Sequence, residues 1–237
     1  MNGESVMLSF GAGPYAGSLD RICEEGRTSG LFTSVIAIRP EDLAPDFWSG
    51  GMTPEAALRT ARGFWSWRWK PRIILEQLET LPEGATLLYV DAGCTINPKG
   101  RARFEDYRAR ALTSDHGIAA FALPDHFTEG KWTNGDVFHH FDARHLRNTA
   151  QIYATFMMFS RTDLSLGLVQ KWKYACEEIG LADDTKGTHP CYPEFEDHRH
   201  DQSVFSFLCK LNEVRTFENE SDKYDNFPVW ATRRRSN

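Results

Sequence analysis

The chain has 237 residues, long enough to bury a large core, and that length fits one α/β domain better than two. Hydrophobic residues at 41% and charged residues at 25% are ordinary soluble values, and no stretch approaches the roughly 20 apolar residues of a membrane span, so at most peripheral membrane contact is expected. A net charge of -6 argues against a nucleic-acid partner, because neutralising phosphates needs a basic face.

Residues 5–10 (SVMLSF) predict a first strand, followed by the tight loop Gly11-Ala12-Gly13-Pro14 and a helical pattern over about 16–26. A glycine loop between strand and helix can cradle a nucleotide or be a plain turn; its spacing matches neither a dinucleotide fingerprint nor a Walker loop. Residues 32–38 (FTSVIAI) predict a second strand, and two βα units in succession imply a parallel, doubly wound start. Residues 39–54, richer in Pro, Gly and Asp, read as a loop suited to form one lip of a cleft.

The most unusual composition follows at residues 61–71 (ARGFWSWRWKP), where Trp alternates with small or basic residues and Pro71 suits the first turn of a helix over about 72–81. Arg62, Arg68 and Lys70 could meet a diphosphate, and an indole such as that of Trp69 could stack on a ring. The competing reading is a helix start pinned by core indoles.

Residues 87–90 (LLYV) form a short apolar run bounded by turn residues, as a parallel strand sandwiched by helices requires. Asp91 falls at its carboxyl end, the edge at which open α/β sheets bind ligands, and Ala92 and Gly93 let a bulky ligand approach the backbone. An acid there can hold a divalent metal against phosphates, or simply cap a turn.

Residues 99–112 predict a charged amphipathic helix on the outside, and residues 117–123 (GIAAFAL) another buried strand. Residues 125–136 form a polar loop carrying Asp125, Trp132 and Asp136, placed where an acceptor could enter. Residues 152–160 (IYATFMMFS) predict a long apolar strand, and Asp163 starts a helix to about 179, an acid being favourable at that terminus. After an irregular stretch comes Asp197-His198-Arg199-His200-Asp201-Gln202-Ser203, ahead of the helical pattern Val204, Phe205, Phe207, Leu208, Leu211. So many ionisable side chains at a helix start are hard to explain by packing and favour a site over caps and surface charge. His198 and His200, one residue apart on an extended segment, would share a face and could ligate a metal with Asp91; a His pair is also often hydrogen-bonded scaffold. From about residue 219 the chain reads as a coil-rich tail that folds back over the domain. Its Arg233-Arg234-Arg235 is the only basic run, read as a solvated end in preference to a site for anionic lipid or a partner. Five cysteines without a CxxC pair give neither a disulfide framework nor a zinc site, and with no charged signal-peptide start the expected location is the cytoplasm.

The order SFG, RGFWSWRWKPRIILEQL, LLYVDAG, KWTNGD, QIYATFMMF and HRHDQSVFSFL, from about Leu8 to Leu208, resembles a group of bacterial and viral sugar transferases with the GT-A nucleotide-diphospho-sugar transferase fold. The resemblance implies a single α/β domain over 1–237 with a mostly parallel central sheet flanked by helices. It also implies transfer of a hexose or deoxyhexose from a nucleoside-diphosphate sugar, a UDP-sugar being the expected donor, to a glycan or lipid-linked glycan hydroxyl, with Mn²⁺ or Mg²⁺. Carried over by position, Phe10 and Gly11 would lie beside the base, Arg62 and Lys70 near the sugar or diphosphate, and Asp91 would be the metal-binding acid of a DxD motif. Tyr89 and Gly93 flank Asp91, so only one Asp of that motif remains; one carboxylate, phosphate oxygens and waters can still hold an oxygen-preferring cation. His198 is the second candidate metal ligand, and His200 and Gln202 are expected at the donor.

The chemistry asks for charge compensation on the leaving diphosphate and a base for the acceptor hydroxyl. Asp91 with Lys70 or Arg62 meets the first need, and Asp201 is the expected base. The Asp201-Gln202 pair also resembles the motif with which retaining transferases line the donor sugar, and then Asp136 or Asp125 becomes the base. Two other functions fit the same sheet. A sugar nucleotidyltransferase would carry a basic loop after the first strand, which Gly11 to Pro14 lacks, and a non-catalytic carbohydrate-binding protein is conceivable because the second Asp is missing.

Overall fold

The computed structural model describes residues 3–51, 66–184 and 187–235. In chain order its elements are β1 (Ser5–Phe10), α1 (Ala16–Ser29), β2 (Ser34–Ile38), α2 (Trp69–Thr80), β3 (Thr86–Val90), β4 (Thr95–Ile96), α3 (Arg101–Thr113) and β5 (Ile118–Phe121). There follow α4 (Glu129–Trp132), α5 (Gly135–His140), β6 (Phe156–Ser160), α6 (Asp163–Glu177), α7 (Asp201–Leu211), β7 (Thr216–Phe217) and β8 (Val229–Trp230).

The main sheet has the order β2-β1-β3-β6-β5-β7. β1 runs parallel to β2 and β3, and β5 parallel to β7, while β6 lies antiparallel to both β3 and β5. Parallel pairings therefore outnumber antiparallel ones three to two, giving the α/β architecture that the resemblance implies. Successive strand residues point to opposite faces, and the sequence fills both. Val6, Leu8, Leu87, Tyr89, Met157 and Phe159 pack with α2, α6 and α7 on one side. Met7, Leu88, Val90, Phe156 and Met158 pack with α1 and α3 on the other. This double burial is why the strands read as continuous apolar runs.

Local chemistry sets the helix ends. Pro71 sits in the first turn of α2, where its missing N–H costs nothing. The Thr162 hydroxyl accepts from the Ser165 N–H and Ser165 Oγ accepts in return from the Thr162 N–H, closing a reciprocal cap on α6. The strand expected over 152–160 begins only at Phe156. The preceding backbone is taken by side chains: the Ile152 N–H donates to Ser206 Oγ, the Ala154 N–H to Gln202 Oε1, and the Ala154 carbonyl accepts from Lys70 Nζ. Those groups are lost to a ladder and gained by the cleft beside it.

The tail does fold back, and it is anchored. β8 pairs antiparallel with β4, and Asn97 Nδ2 donates to the carbonyls of Asp225 and Phe227. The crossing requires a glycine at residue 100, since a Cβ there would lie 2.4 Å from Pro228 N. Among the described residues no helix is long and apolar enough to cross a membrane.

Candidate active site

The carboxyl ends of β1 and β3 and the start of β6 meet at one edge of the sheet, where the Asp91 N–H donates to the Thr155 carbonyl at 2.8 Å. A cavity of about 930 Å³ opens there. Into it the fold brings Phe10, Trp69, Lys70, Asp91, Ala92, Gly93, His198, His200, Asp201 and Gln202. Arg62 lies outside the described residues.

At the floor, one buried ammonium joins two acids. Lys70, 3% exposed, donates from Nζ to the Ala154 carbonyl at 2.9 Å. The same nitrogen lies 2.9 Å from Asp201 Oδ2 and 3.3 Å from Asp91 Oδ1. Burial alone would lower the Lys70 pKa, but Asp201 and then Asp91 outweigh it, so the group is held above its ordinary value and stays charged. One ammonium cannot fully offset two carboxylates, and the drier acid yields: burial raises the Asp201 pKa, with Lys70 opposing and Asp91 reinforcing the shift. Asp91 is the wetter of the two, its side chain 32% exposed against 5% for Asp201. The Tyr89 hydroxyl donates to Asp91 Oδ1 at 2.6 Å and fixes that oxygen; the second oxygen has no such contact among the described residues.

The aromatic side is built by the Trp block. Phe10 and Trp69 stack with centroids 3.9 Å apart, and the Trp67 ring lies 4.9 Å from that of His200. Trp67 has φ 56° and His200 has φ 52°, left-handed values that cost non-glycine residues energy and cluster at functional sites. Because a carbonyl oxygen can only accept, the contact of His200 Nδ1 with the Ala182 carbonyl at 2.9 Å places the proton on Nδ1 and leaves Nε2 as an acceptor in the neutral ring. Nε2 of His200 and the indole N–H groups of Trp69 and Trp132 are buried without a hydrogen-bond partner among the described residues, and all three residues line the cavity. Buried polar atoms are normally satisfied, and these three are free of partners among the described residues to meet a ligand.

Other expected residues are committed to the scaffold. The His198 ring contacts the Leu181 carbonyl through Nε2 and accepts the Asn134 N–H at Nδ1, so both nitrogens are engaged. Gln202 spans from the Ala154 N–H to Gln151. Gly11 packs against the start of α1, where a Cβ would lie 2.5 Å from that of Leu19. Asp136 is not among the residues lining the cavity; it accepts from the N–H groups of Thr188 and His189, the Thr188 hydroxyl and His189 Nδ1. Asp125 is exposed and also outside the lining.

This arrangement makes Asp136 an anchor for residues 187–190. Burial opposes its ionisation, but the hydrogen bonds from His189 and Thr188 hold its pKa below the ordinary 3.8. A depressed carboxylate stabilises the fold above its unfolded pKa and loses that contribution as pH falls through the folded value. Asp136→Ala is therefore expected to cost about 1 kcal/mol in urea unfolding at neutral pH, with the difference from wild type vanishing in acid. A variant as stable as wild type at neutral pH would deny the anchor.

Two contributors escape a linear reading. Arg21 of α1 donates from one nitrogen to the carbonyls of Ala92 and Cys94, both at 2.8 Å, and holds the loop after Asp91 from behind. The tail supplies Ala231, Arg233 and Arg235 to the cavity wall. A basic run in a terminal segment was the available signal, but only the β4–β8 pairing tells which surface it meets.

No protein-family model matches the chain, and no curated protein matches it significantly. Among solved structures it is similar to a glycosyltransferase involved in glycosylation of the major capsid of PBCV-1, at 12% identity over 91% of this chain and 82% of that one, with a TM-score of 0.47. It is also similar to the glycosyltransferase GlyE of Streptococcus pneumoniae TIGR4, at 12% identity over 93% of this chain, with a TM-score of 0.42. The chain spans 46% of the GlyE structure. Likeness at this level assigns no activity, and the functional reading rests on the cavity and its charges.

Proposed function

We propose that the chain is a glycosyltransferase that moves a hexose or deoxyhexose from a nucleoside-diphosphate donor to the hydroxyl of a glycan or lipid-linked glycan. The observation that carries this reading is convergence: an acid at the tip of β3, an ammonium from the Trp block, and an acid and a histidine from the start of α7 share one cavity with indole donors that have no partner among the described residues. A volume of about 930 Å³ suits a ligand of nucleotide-sugar size.

A divalent cation fits this site in one way only. Among the described residues no three His, Cys, Asp or Glu side chains converge on a metal position, and both His198 nitrogens are engaged. Asp91 offers one oxygen toward the cavity, which suits Mg²⁺ or Mn²⁺ bound mainly through substrate phosphates. When bound there, the ion would supply positive charge for the leaving diphosphate. Lys70 and Tyr89 orient Asp91, and the Phe10–Trp69 stack forms an apolar wall for the donor. As the acceptor oxygen bonds to the anomeric carbon, the bond from that carbon to the diphosphate oxygen breaks. Its electron pair leaves with the diphosphate, and the hydroxyl proton passes to Asp201. Asp201 lines the cavity and Asp136 does not, which favours Asp201 as the base.

Incubation with a panel of nucleotide sugars and glycan acceptors tests the reading. Release of free nucleoside diphosphate with a glycosylated product is the expected result; pyrophosphate release would identify a nucleotidyltransferase, and ligand-induced thermal shifts without turnover a binding protein. Asp91→Asn is expected to keep the wild-type melting temperature while losing any gain in nucleoside-diphosphate affinity from Mn²⁺. Unchanged affinity with Mn²⁺ present would take Asp91 out of the donor site.

A further inference from the structure

The cavity carries more positive charge than its buried floor uses. Lys70 is consumed by Asp91 and Asp201. Arg199, Arg233 and Arg235 line the same cavity, and none of them has a carboxylate within ion-pair distance among the described residues. In a chain of net charge -6, three guanidinium groups lining one hollow without such a partner make that wall locally positive. Burial and then the charge of Arg233 hold the Arg199 pKa below its ordinary value, with Asp197 offsetting part of the effect.

Two of the three guanidinium groups are positioned by aromatic rings. Arg199 lies over the Trp132 ring at 4.1 Å, and its backbone N–H donates to the Trp132 carbonyl. Arg235 lies over the Tyr15 ring at 5.2 Å. Arg234, between the two tail arginines, anchors through its backbone: its N–H donates to the Gly93 carbonyl at 2.8 Å and its carbonyl accepts from Ser18 Oγ at 3.1 Å. The Thr232 hydroxyl donates to the same Gly93 carbonyl. The tail is thus stitched to the loop that follows Asp91, beside the acid proposed to face the phosphates.

We propose that Arg199, Arg233 and Arg235 form an anion clamp, closed by the C-terminal segment, that takes the diphosphate of the donor by forked hydrogen bonds from the guanidinium groups. This deepens the transferase reading and rests on it for the identity of the anion, but the clamp itself is a property of three side chains. Guanidinium matches phosphate oxygens in pairs and stays charged throughout, so it can hold the leaving group's charge as the bond to the sugar breaks.

Calorimetric titration of the full chain tests it, with inorganic pyrophosphate and with UDP, GDP and dTDP as probes. Arg233→Gln/Arg235→Gln, Arg199→Gln and a control, Lys171→Gln on the exposed side of α6, are compared with wild type, each checked by circular dichroism. The expected result is a Kd at least about tenfold weaker in the arginine variants, an unchanged control, and wild-type affinity that falls steeply between about 50 and 500 mM salt. Pyrophosphate and nucleoside-diphosphate affinities within twofold of wild type in folded arginine variants would overturn the clamp and leave the transferase reading standing. Pyrophosphate binding that depends on the arginines, with no nucleoside diphosphate bound, would keep the clamp and overturn the donor assignment. Should an arginine variant fail to fold, wild-type affinity indifferent to salt would still overturn the clamp, and wild type binding no probe would overturn both.

Discussion

Lys70→Met is expected to destabilise the protein by about 3–5 kcal/mol in urea unfolding and to abolish transfer. The cost does not come from losing a favourable ion pair as such, because desolvating three charged groups consumes much of the attraction between them. It comes from what the substitution leaves behind: Asp201, almost fully buried, and Asp91, held by Tyr89, with no cation between them. The Ala154 carbonyl also loses its donor. Adding Asp201→Asn to Lys70→Met should recover part of the stability, since it removes the orphaned buried charge, and the two changes should therefore be strongly non-additive. The pH dependence has a definite sign. The folded pKa of Lys70 is raised above its ordinary 10.5, so its contribution is complete below that value and is lost as pH rises through the folded one. Lys70→Met should accordingly flatten alkaline unfolding. A variant with wild-type stability at neutral pH would mean that the ammonium does not bridge the two acids.

Asp201→Asn is expected to cut turnover by about 10²-fold or more while leaving donor affinity within a few-fold of wild type. Asparagine keeps an oxygen toward Lys70 and the backbone carbonyl that accepts from Trp172 Nε1, so the fold should survive. What it removes is the capacity to take a proton. Because burial raises the Asp201 pKa, with Lys70 opposing, the acid limb of the pH–rate profile should lie above the ordinary carboxylate value of 3.8 and disappear in the variant. Near-normal turnover would remove the proton-accepting role from Asp201. Loss of donor affinity in step with turnover would instead mark Asp201 and Gln202 as residues lining the donor sugar. Asp136 is a poor substitute as base in either case, its oxygens being occupied by Thr188 and His189.

Much of this molecule is legible one residue at a time. Residues 5–10 form a strand with the expected boundaries, and residues 87–90 form one that gains only Thr86. In both, unbroken apolarity reports burial on two faces. The helix after the Trp block begins at Trp69, earlier than the residue after Pro71, because proline is accommodated within a first turn as well as at its opening. The orientation of β6 was less accessible. Its composition is that of any buried strand, and apolar patterning does not distinguish a parallel from an antiparallel neighbour.

The short elements α4, α5, β4, β7 and β8 escaped a linear reading, but the chain by itself determined where the longer strands and helices lie and that Asp91 would end a central strand. Those properties depend on hydrophobic periodicity and on side chains within a few positions of one another. The tertiary structure alone decided that Lys70 would bridge Asp91 and Asp201, that Asp136 would anchor a loop, and that Arg233 and Arg235 would line the cavity. A long charged side chain takes whichever partner the sheet order brings within a few ångströms, and that choice is made by strand pairing across the whole chain.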